Sequence, residues 1–266
     1  MEVVWALVLG VVQGFGEFLP ISSSGHLRLI QDKFMLPETF GLAFDVWLHI
    51  GTLLAVVMYF RLDLLHMASA IFTRSPERQD DRRLLFLIVV ATIPTGLIGL
   101  LGGDWFENVP TLYIGIALVI TAFLLSAADR LSSRSIDSAG RLGYAHAVLL
   151  GVAQGLAIMP GISRSGATMA AGLGLGLDRE QAARFSFLMS IPVILLASFK
   201  EGYEVVVLNE PIPGTAALIV GFIASTLTGY IAIAGLMRFL KSNSFTVFAI
   251  YTAILGVAVI IWQTVG

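Results

Sequence analysis

Six long apolar runs dominate the pattern of hydrophobic and polar positions along this 266-residue chain. A helix needs about 20 mainly apolar residues to cross the hydrocarbon core of a bilayer. Because the backbone must satisfy its own hydrogen bonds there, such runs predict transmembrane helices. The six predicted spans are approximately Phe40–Phe60, Leu84–Leu101, Thr111–Ala128, Gln181–Phe199, Thr215–Leu236 and Phe245–Trp262.

Two shorter apolar stretches, Val3–Val12 and Ala145–Leu156, are followed by breaks rich in Gly, Pro and Ser. A second short stretch follows each break, and no half is long enough to span a bilayer. Non-helical backbone at membrane depth is tolerated where it is buried in protein or lines a cavity. The pattern therefore predicts two re-entrant helix–loop–helix hairpins, Met1–Pro37 and Gly143–Leu177.

The two predicted hairpins repeat one another. Leu9–Gly25 aligns with Leu150–Gly166 at an offset of 141 residues, and nine of these 17 positions are identical. Three predicted spans separate the copies, and an odd number reverses the orientation of the second copy. We therefore expect a single all-α polytopic membrane domain, 1–266, built from two inverted-topology repeats, 1–130 and 143–266. Each repeat would contain one hairpin and three transmembrane helices.

Composition and charge support this membrane assignment. The chain is 57% hydrophobic and 13% charged, with a mean hydropathy of +0.88 and a net charge of −2. The slightly negative charge gives no indication of a nucleic-acid partner. The chain has no cysteine, which excludes disulfides and thiolate chemistry. The first apolar stretch lacks a basic leading segment, so we expect no cleavable signal peptide.

The predicted membrane orientation follows from lysine and arginine, which favour cytoplasmic loops. We expect the first hairpin to enter from the outer face and the second from the cytoplasm, so that the site opens toward the outer, periplasmic face. Arg28 and Lys33 oppose this orientation, since they lie on its outer side. The residues assigned to cytoplasmic loops are Arg61, Arg74, Arg78, Arg82, Arg83, Arg130, Arg134, Arg141, Arg238 and Lys241.

A carboxylate lies just before the first break. Gln13 and Glu17 are four residues apart, so on a helix they share one face. A carboxylate within the membrane is costly and is therefore a functional candidate by default. The alternatives are a structural buried pair and a carboxylate that reaches water at a helix end.

A polar run, Ser22-Ser23-Ser24-Gly25-His26, opens the next half-helix. Serine is a good N-cap, and the free N–H groups at a helix start form an anion site. The alternatives are plain capping by the serines and a structural role for the histidine. Three serines and a histidine beside a carboxylate favour a functional site over capping alone.

The second break, Pro160–Thr168, has Arg164 where the first break has a serine. An arginine at the tip of a re-entrant loop needs an anionic partner, and its planar fork suits two phosphate oxygens. The alternative is an ion pair between Arg164 and Glu17 without a ligand. Since Glu17 and His26 occur only in the first copy and Arg164 only in the second, we expect one composite site for a diphosphate.

Two more ionisable residues, Asp45 and His49, lie in the first predicted span. Either side chain could face the cavity, but contact with packing neighbours or with water is the expected role. Neither residue is therefore placed in the predicted site.

At these residues the chain resembles the bacterial undecaprenyl-diphosphate phosphatase family of the bacitracin-resistance type. The segments that carry the resemblance are Gln13–His26 and Pro160–Thr168, and the similarity extends over essentially the whole chain. The resemblance implies hydrolysis of undecaprenyl diphosphate to undecaprenyl phosphate and inorganic phosphate, which recycles the lipid carrier for peptidoglycan and other envelope polymers. It also implies a location in the bacterial plasma membrane and a divalent cation, Mg²⁺ or Ca²⁺.

Together with the chemistry of the side chains, the resemblance gives the candidate residues their expected roles. Glu17, with Gln13 beside it, would hold the metal ion, although many family members have Glu in place of Gln13. Arg164 would bind the diphosphate, Ser23 would be the nucleophile and His26 the general base. Attack by His26 or by water is an alternative scheme. The further predicted substrate-binding residues, besides Gln13, are Ser22, Ser24, Gly161, Ser163, Ser165 and Thr168.

A transporter is the main functional alternative. Inverted repeats with broken helices also form transporters, so the chain could carry a polyprenyl phosphate or a small anion, or act as a flippase. A cluster of Glu, Ser, His and Arg exceeds what anion binding needs, which favours hydrolysis. The expected partners are undecaprenyl diphosphate and the lipid bilayer, with a homodimer as a candidate assembly and no nucleic acid.

Overall fold

The computed structural model of the protein describes residues 1–73, 76–107, 109–132, 142–208 and 211–265. These residues form α-helices joined by short connections, and no β-strand occurs among them. One-turn 3₁₀ helices at Glu38–Phe40 and Pro76–Arg78 precede the third and fifth α-helices. The α-helices are α1 (Glu2–Phe18), α2 (Ser23–Phe34), α3 (Leu42–Tyr59), α4 (Arg61–Phe72), α5 (Gln79–Glu107), α6 (Thr111–Ser132), α7 (Tyr144–Leu156), α8 (Arg164–Gly174), α9 (Arg179–Leu208), α10 (Thr215–Phe239) and α11 (Thr246–Val265).

Six of these helices, α3, α5, α6, α9, α10 and α11, are long and apolar enough to cross a membrane. They coincide with the six predicted spans, so the prediction of an all-α polytopic membrane protein is confirmed. Helices α5 and α9 extend further than predicted, with 29 and 30 residues. At 1.5 Å per residue each is about 44 Å long, which exceeds a hydrocarbon core of about 30 Å. The first turns of both helices contain charged residues, among them Asp80 in α5 and Arg179 in α9. Hydropathy excluded these turns from the predicted spans.

Helices α1 and α7 are the first halves of the two predicted hairpins. Helix α1 has 17 residues and continues past the predicted end at Val12 as far as Phe18. The extension is stable although it contains Gln13 and Glu17, because their side chains hydrogen-bond to each other inside the protein. Helix α7 has 13 residues and ends at Leu156, as expected.

Serines cap the second half of each hairpin. Ser22 Oγ accepts a hydrogen bond from the Gly25 N–H at 3.4 Å, and Ser163 Oγ accepts one from the Gly166 N–H at 3.1 Å. Each serine satisfies a backbone donor that has no partner within the first helical turn. The prediction that serine opens the second half of the first hairpin is therefore confirmed, and the second hairpin has the same kind of cap.

The hairpins pack into the bundle through small residues. A methyl group on Gly10 of α1 would lie 2.6 Å from the Gly221 carbonyl of α10, and one on Gly151 of α7 would lie 2.1 Å from the Ala91 carbonyl of α5. Such close backbone approach is typical of helix contacts in membranes. Helix α1 thus packs on α10, and α7 packs on α5, while α3 contacts α9 and α6 contacts α11. The contact of the first hairpin helix with α10 thus has its counterpart in the contact of the second hairpin helix with α5, which supports the repeat interpretation. The inverted relation itself stays a prediction.

The two hairpins are anchored at opposite ends of the bundle. At one end Glu2 accepts from the Gly214 N–H, and the Lys33 ammonium lies 4.7 Å from the Trp262 ring centre. At the other end Arg83 donates to the Leu142 carbonyl near the start of α7. The second end also collects the ion pairs Arg179–Asp129, Arg184–Asp63 and Lys241–Glu180. Arg74, Arg134 and Arg141 lie outside the described residues.

A buried aromatic contact fixes the end of α1 inside the bundle. Phe18 is fully buried and packs edge-on against Phe187 of α9, with ring centres 5.4 Å apart. Phe60, which follows α3, contacts the same Phe187 ring at 6.2 Å. Edge-to-face packing of aromatic rings adds about 1 kcal/mol to the gain from burial. The neighbouring residue, Glu17, is thereby held inside the bundle at the end of α1.

Candidate active site

The two breaks meet inside the protein. Ser22 Oγ accepts a hydrogen bond from the Gly161 N–H at 3.1 Å, and Ser165 Oγ donates to the Leu19 carbonyl at 3.2 Å. A methyl group on Gly25 would lie 3.1 Å from the backbone of Gly161. The hydrogen bonds and the close backbone contact join the tip of the first hairpin to the tip of the second. The structure therefore brings together the two halves of the expected composite site.

Backbone strain marks this junction. Ser22 has φ 71° and Gly161 has φ 96°, and both values lie in the left-handed region. A non-glycine residue there costs about 1–3 kcal/mol, and such strain clusters at functional sites. The two N–H bonds accepted by Ser22 Oγ offset the cost. Gly161 has no alternative, because a methyl group there would also lie 2.6 Å from the Ile114 carbonyl.

Glu17 is the centre of the site. Its Oε2 accepts hydrogen bonds from Ser23 Oγ at 2.7 Å and from Gln13 Nε2 at 3.1 Å. Its Oε1 accepts from Arg164 Nη2 in an ion pair that joins the two hairpins. Gln13 is fully buried and Glu17 is 7% exposed. The sequence-predicted residues Gln13, Glu17, Ser23 and Arg164 therefore form one cluster around a single buried carboxylate.

Ser23 and Arg164 occupy equivalent places in the two copies, 141 residues apart. Ser23 is the first residue of α2 and Arg164 is the first residue of α8. Both side chains bind the same carboxylate. The N-terminal ends of the two helices therefore converge on one point, where their dipoles favour negative charge.

Two buried polar atoms of the cluster have no hydrogen-bond partner within the described part of the chain. They are Nη1 of Arg164 and Oε1 of Gln13. Buried polar atoms in folded proteins are nearly always paired, so an unpaired donor and acceptor together indicate a place for a ligand. A guanidinium nitrogen suits a phosphate oxygen, and an amide oxygen suits a cation or a hydrogen-bond donor.

His26 faces away from Ser23. Its Nδ1 donates to the Ser22 carbonyl at 2.7 Å, and its Nε2 accepts from the Tyr251 hydroxyl at 2.7 Å. The ring stacks on Tyr251 of α11 with centres 5.7 Å apart. No hydrogen bond joins His26 to Ser23 in this structure, although both are described. The geometry thus separates His26 from the hydroxyl that it was expected to activate.

The other predicted binding residues hold the loops in place. Thr168 Oγ1 donates to the Arg164 carbonyl at 2.8 Å and shares a hydrogen bond with Ser186 Oγ of α9 at 2.6 Å. Ser163 Oγ caps α8 and lies 3.2 Å from Ser165 Oγ. Ser24 is half-buried. Since the hydroxyls of Ser163, Ser165 and Thr168 already have protein partners, direct contacts between them and substrate stay a prediction.

His49 is the site residue that sequence reasoning missed. Its Nε2 lies 3.6 Å from Glu17 Oε2, and its Nδ1 donates to the Asp45 carbonyl at 2.7 Å. From the sequence, its expected role was contact with packing neighbours or with water. The rule that an ionisable residue within a span is functional by default was the only signal for it, since no motif connects it to the breaks.

The donor set fits a divalent cation that is shared with a ligand. Among the described residues, no three acidic, histidine or cysteine side chains form a metal-binding group. Glu17 nevertheless supplies a carboxylate, and Gln13, whose Nε2 donates to that carboxylate at 3.1 Å, supplies an amide Oε1 that has no partner. Mg²⁺ commonly takes one or two carboxylates and completes its shell with substrate phosphates and water.

Comparison with known proteins identifies the family of the chain. The family described as "Bacitracin resistance protein BacA" matches residues 6–258. A protein named undecaprenyl-diphosphatase from Rubrobacter xylanophilus is 46% identical over 94% of each chain. Proteins with the same name from Alcanivorax borkumensis and Methanosphaera stadtmanae are 43% and 41% identical, over 97% of each chain and over 100% and 99%, respectively. Near-complete coverage and the shared family profile lead to one conclusion: the chain belongs to the bacitracin resistance protein BacA family.

Proposed function

We propose that this multi-pass membrane protein hydrolyses undecaprenyl diphosphate to undecaprenyl phosphate and inorganic phosphate. The reaction regenerates a lipid carrier for cell-wall synthesis. Family membership and the names of the relatives support the activity. The observation that carries it is the cluster of Glu17, Ser23 and Arg164 where the two breaks meet.

Arg164 is the proposed anchor for the diphosphate. One of its terminal nitrogens holds Glu17, while the other is buried without a partner. That free nitrogen supplies a charge-assisted hydrogen bond to a phosphate oxygen. The converging helix starts at Ser23 and Arg164 add favourable potential for negative charge. Phosphoryl transfer depends mainly on positioning and charge stabilisation, and these groups supply both.

Ser23 is the proposed nucleophile, and Glu17 takes its proton. The Ser23 hydroxyl already donates to Glu17 Oε2 at 2.7 Å. As Oγ bonds to the terminal phosphorus, its proton moves to Glu17 and the bond from phosphorus to undecaprenyl phosphate breaks. Water then attacks the phosphoserine, and a new phosphorus–oxygen bond forms as the bond from phosphorus to Ser23 Oγ breaks. Glu17 returns its proton to Oγ, and inorganic phosphate leaves with the oxygen and the protons of the water. Direct attack by a water molecule that Glu17 orients is the alternative scheme.

A divalent cation, Mg²⁺ or Ca²⁺, is part of the proposal. Glu17 and Gln13 are the residues proposed to hold it, because they supply a carboxylate and an unpaired amide oxygen. When bound, the cation neutralises charge on the diphosphate.

We place the protein in the plasma membrane with the site open to the outer, periplasmic face. The hairpin that carries Glu17 and Ser23 is anchored at the end opposite the ion pairs of Arg179 and Arg184. Basic residues favour the cytoplasmic side, so the first hairpin would enter from outside. The prenyl chain would lie among the apolar spans, in contact with lipid.

Phosphate release from a prenyl diphosphate tests the proposal. The full chain would be purified in detergent and assayed with and without EDTA, beside Arg164→Ala and the control Arg238→Ala. Arg238 is exposed at the end of α10, so its replacement leaves the site intact. We expect EDTA-sensitive release that disappears only in Arg164→Ala. Movement of a prenyl phosphate across vesicles without phosphate release would instead establish the transporter.

A further inference from the structure

His49 approaches the same carboxylate oxygen as Ser23 and Gln13. Ser23 Oγ lies 2.7 Å from Glu17 Oε2, Gln13 Nε2 lies 3.1 Å from it, and His49 Nε2 lies 3.6 Å from it. Three side chains from α1, α2 and α3 thus surround one face of Glu17. The mechanism proposed above gives no role to His49.

The tautomer of His49 is determined by its neighbour. Its Nδ1 lies 2.7 Å from the Asp45 carbonyl, which can only accept a hydrogen bond. Nδ1 therefore carries the proton when the ring is neutral, and Nε2 then presents its lone pair toward Glu17. A histidine whose other ring nitrogen donates to a backbone carbonyl is the usual arrangement of a metal ligand.

The position of His49 is also well supported. The Asp45 carboxylate accepts a hydrogen bond from Gln31 Nε2 at 3.0 Å, which ties the start of α3 to the end of α2. Thr52 Oγ1 donates to the His49 carbonyl at 2.9 Å. The imidazole is 29% exposed. The backbone of His49 is therefore held in place, and its ring is partly accessible.

The distance between Nε2 and Oε2 is compatible with two ligands of one cation. At 3.6 Å it exceeds the usual limit of about 3.2 Å for a hydrogen bond between nitrogen and oxygen and lies within ion-pair range. Two atoms that bind one cation at about 2.1 Å lie about 3.0 Å apart in octahedral geometry and about 3.4 Å apart in tetrahedral geometry. A shared cation would therefore need only a small approach of the two side chains.

We propose that His49 Nε2 is a third protein ligand of the divalent cation, beside Glu17 and Gln13. This inference rests on the proposed function. An uncharged amide at Gln13 is a weaker ligand than a carboxylate, and the imidazole compensates for it. Imidazole nitrogen suits ions such as Mn²⁺, Co²⁺ and Zn²⁺ better than Ca²⁺. Mn²⁺ is therefore a suitable probe of this ligand.

Mn²⁺ binding measured by electron paramagnetic resonance tests this ligand. The detergent-purified full chain would be compared with His49→Ala, His49→Gln and the control His66→Ala, whose histidine is exposed on α4. Pulsed measurements report directly bound nitrogen. We expect nitrogen coupling in the unmodified chain and in His66→Ala, and Mn²⁺ affinity lower by roughly tenfold or more in His49→Ala. His49→Gln should recover part of the affinity through its oxygen, without nitrogen coupling.

The inference would be overturned if the unmodified chain showed no nitrogen coupling, whether or not it binds Mn²⁺. It would also be overturned if the coupling persisted in His49→Ala. The elution profile of each variant and the midpoint of its thermal unfolding check that the fold is retained. The coupling in the unmodified chain tests the inference even if a variant fails to fold. Phosphate release is measured in parallel. Release without His49-dependent binding would remove this inference alone, whereas binding without release would contradict the proposed function.

Discussion

In the first hairpin Gln13 donates to Glu17, whereas in the second hairpin the equivalent Gln154 donates to Thr95 of α5 at 3.2 Å. The position equivalent to Glu17 in the second copy is Ile158. Both glutamines are fully buried and both have an unpaired Oε1. The same amide thus donates to a carboxylate in one copy and to a threonine hydroxyl in the other.

The difference shows what the duplicated backbone supplies and what single side chains add. Both copies provide a helix, a break and a serine-capped second helix. At the equivalent first positions of α2 and α8, one copy has Ser23 and the other has Arg164. The nucleophile candidate and the anion anchor therefore come from the same structural position, and they meet only because the two breaks face each other.

Replacement of Glu17 should have the largest effect on activity, because it removes the carboxylate that distinguishes the first copy from the second. Glu17→Gln keeps the shape but removes the charge that pairs with Arg164 and the acceptor for the Ser23 proton. Preorganised charges and acid–base groups each contribute about 100-fold or more, so we expect phosphate release to fall by at least about a thousandfold. The loss of a buried ion pair also costs about 3–5 kcal/mol of stability. A matched Ile158→Gln variant in the second copy should retain activity, and substantial release by Glu17→Gln would refute the central role of the carboxylate.

Ser23→Ala tests the assigned nucleophile. We expect a loss of activity of at least about a hundredfold, together with loss of any phosphorylated intermediate. The measurement is acid quenching during turnover of substrate with a labelled terminal phosphate, followed by mass spectrometry of the modified peptide. The control is Ser126→Ala, because Ser126 is exposed and its hydroxyl donates only within α6. Full activity of Ser23→Ala would favour direct attack by water.

Gly161→Ala tests the contact between the two tips. The added methyl group would lie 2.6 Å from the Ile114 carbonyl, and φ 96° is unfavourable for alanine. We expect destabilisation by about 1–3 kcal/mol and a loss of activity of roughly tenfold to a hundredfold. Thermal unfolding in detergent and phosphate release measure the two effects. Gly235→Ala of α10 is the control, since nothing lies within 4 Å of its added methyl group, and an unchanged Gly161→Ala would show that the junction tolerates movement.

Gln154→Met should have the smallest effect. It removes a buried amide whose Oε1 has no partner and keeps a similar side-chain volume. Activity should remain within about threefold, and the change in stability should be within about 1 kcal/mol. The matched Gln13→Met in the first copy should lower phosphate release and cation affinity together. Equal effects at the two glutamines would contradict the functional difference between the two copies that the structure indicates.

Local features of the chain were predictable because they depend on neighbouring residues. Hydropathy located the six spans, and the serine run Ser22–Ser24 located the start of α2. The four-residue spacing of Gln13 and Glu17 placed both side chains on one face of α1, where they hydrogen-bond. Hydropathy missed the last six residues of α1, because a hydropathy scale lowers the score of a segment that contains a carboxylate. The scale takes no account of the hydrogen-bond partners that stabilise the carboxylate inside the protein.

The directions of two histidines were not predictable from the sequence. His26 follows Ser23 by three residues, yet Tyr251 on α11 orients its ring elsewhere. His49 is 32 residues from Glu17, and only the packing of α3 beside α1 brings the two together. Side-chain direction in both cases depends on helices that are distant in the chain.

The sequence by itself determined the membrane class, the two broken hairpins, their serine caps and the residue types of the site, because periodicity, length and capping are local physical properties. The tertiary structure decided which of these residues meet. It joined Arg164 to Glu17 across 147 positions, directed His26 to Tyr251 and brought His49 to the carboxylate. These contacts depend on how small residues let α1 and α7 approach α10 and α5, and a local pattern carries no information about that approach.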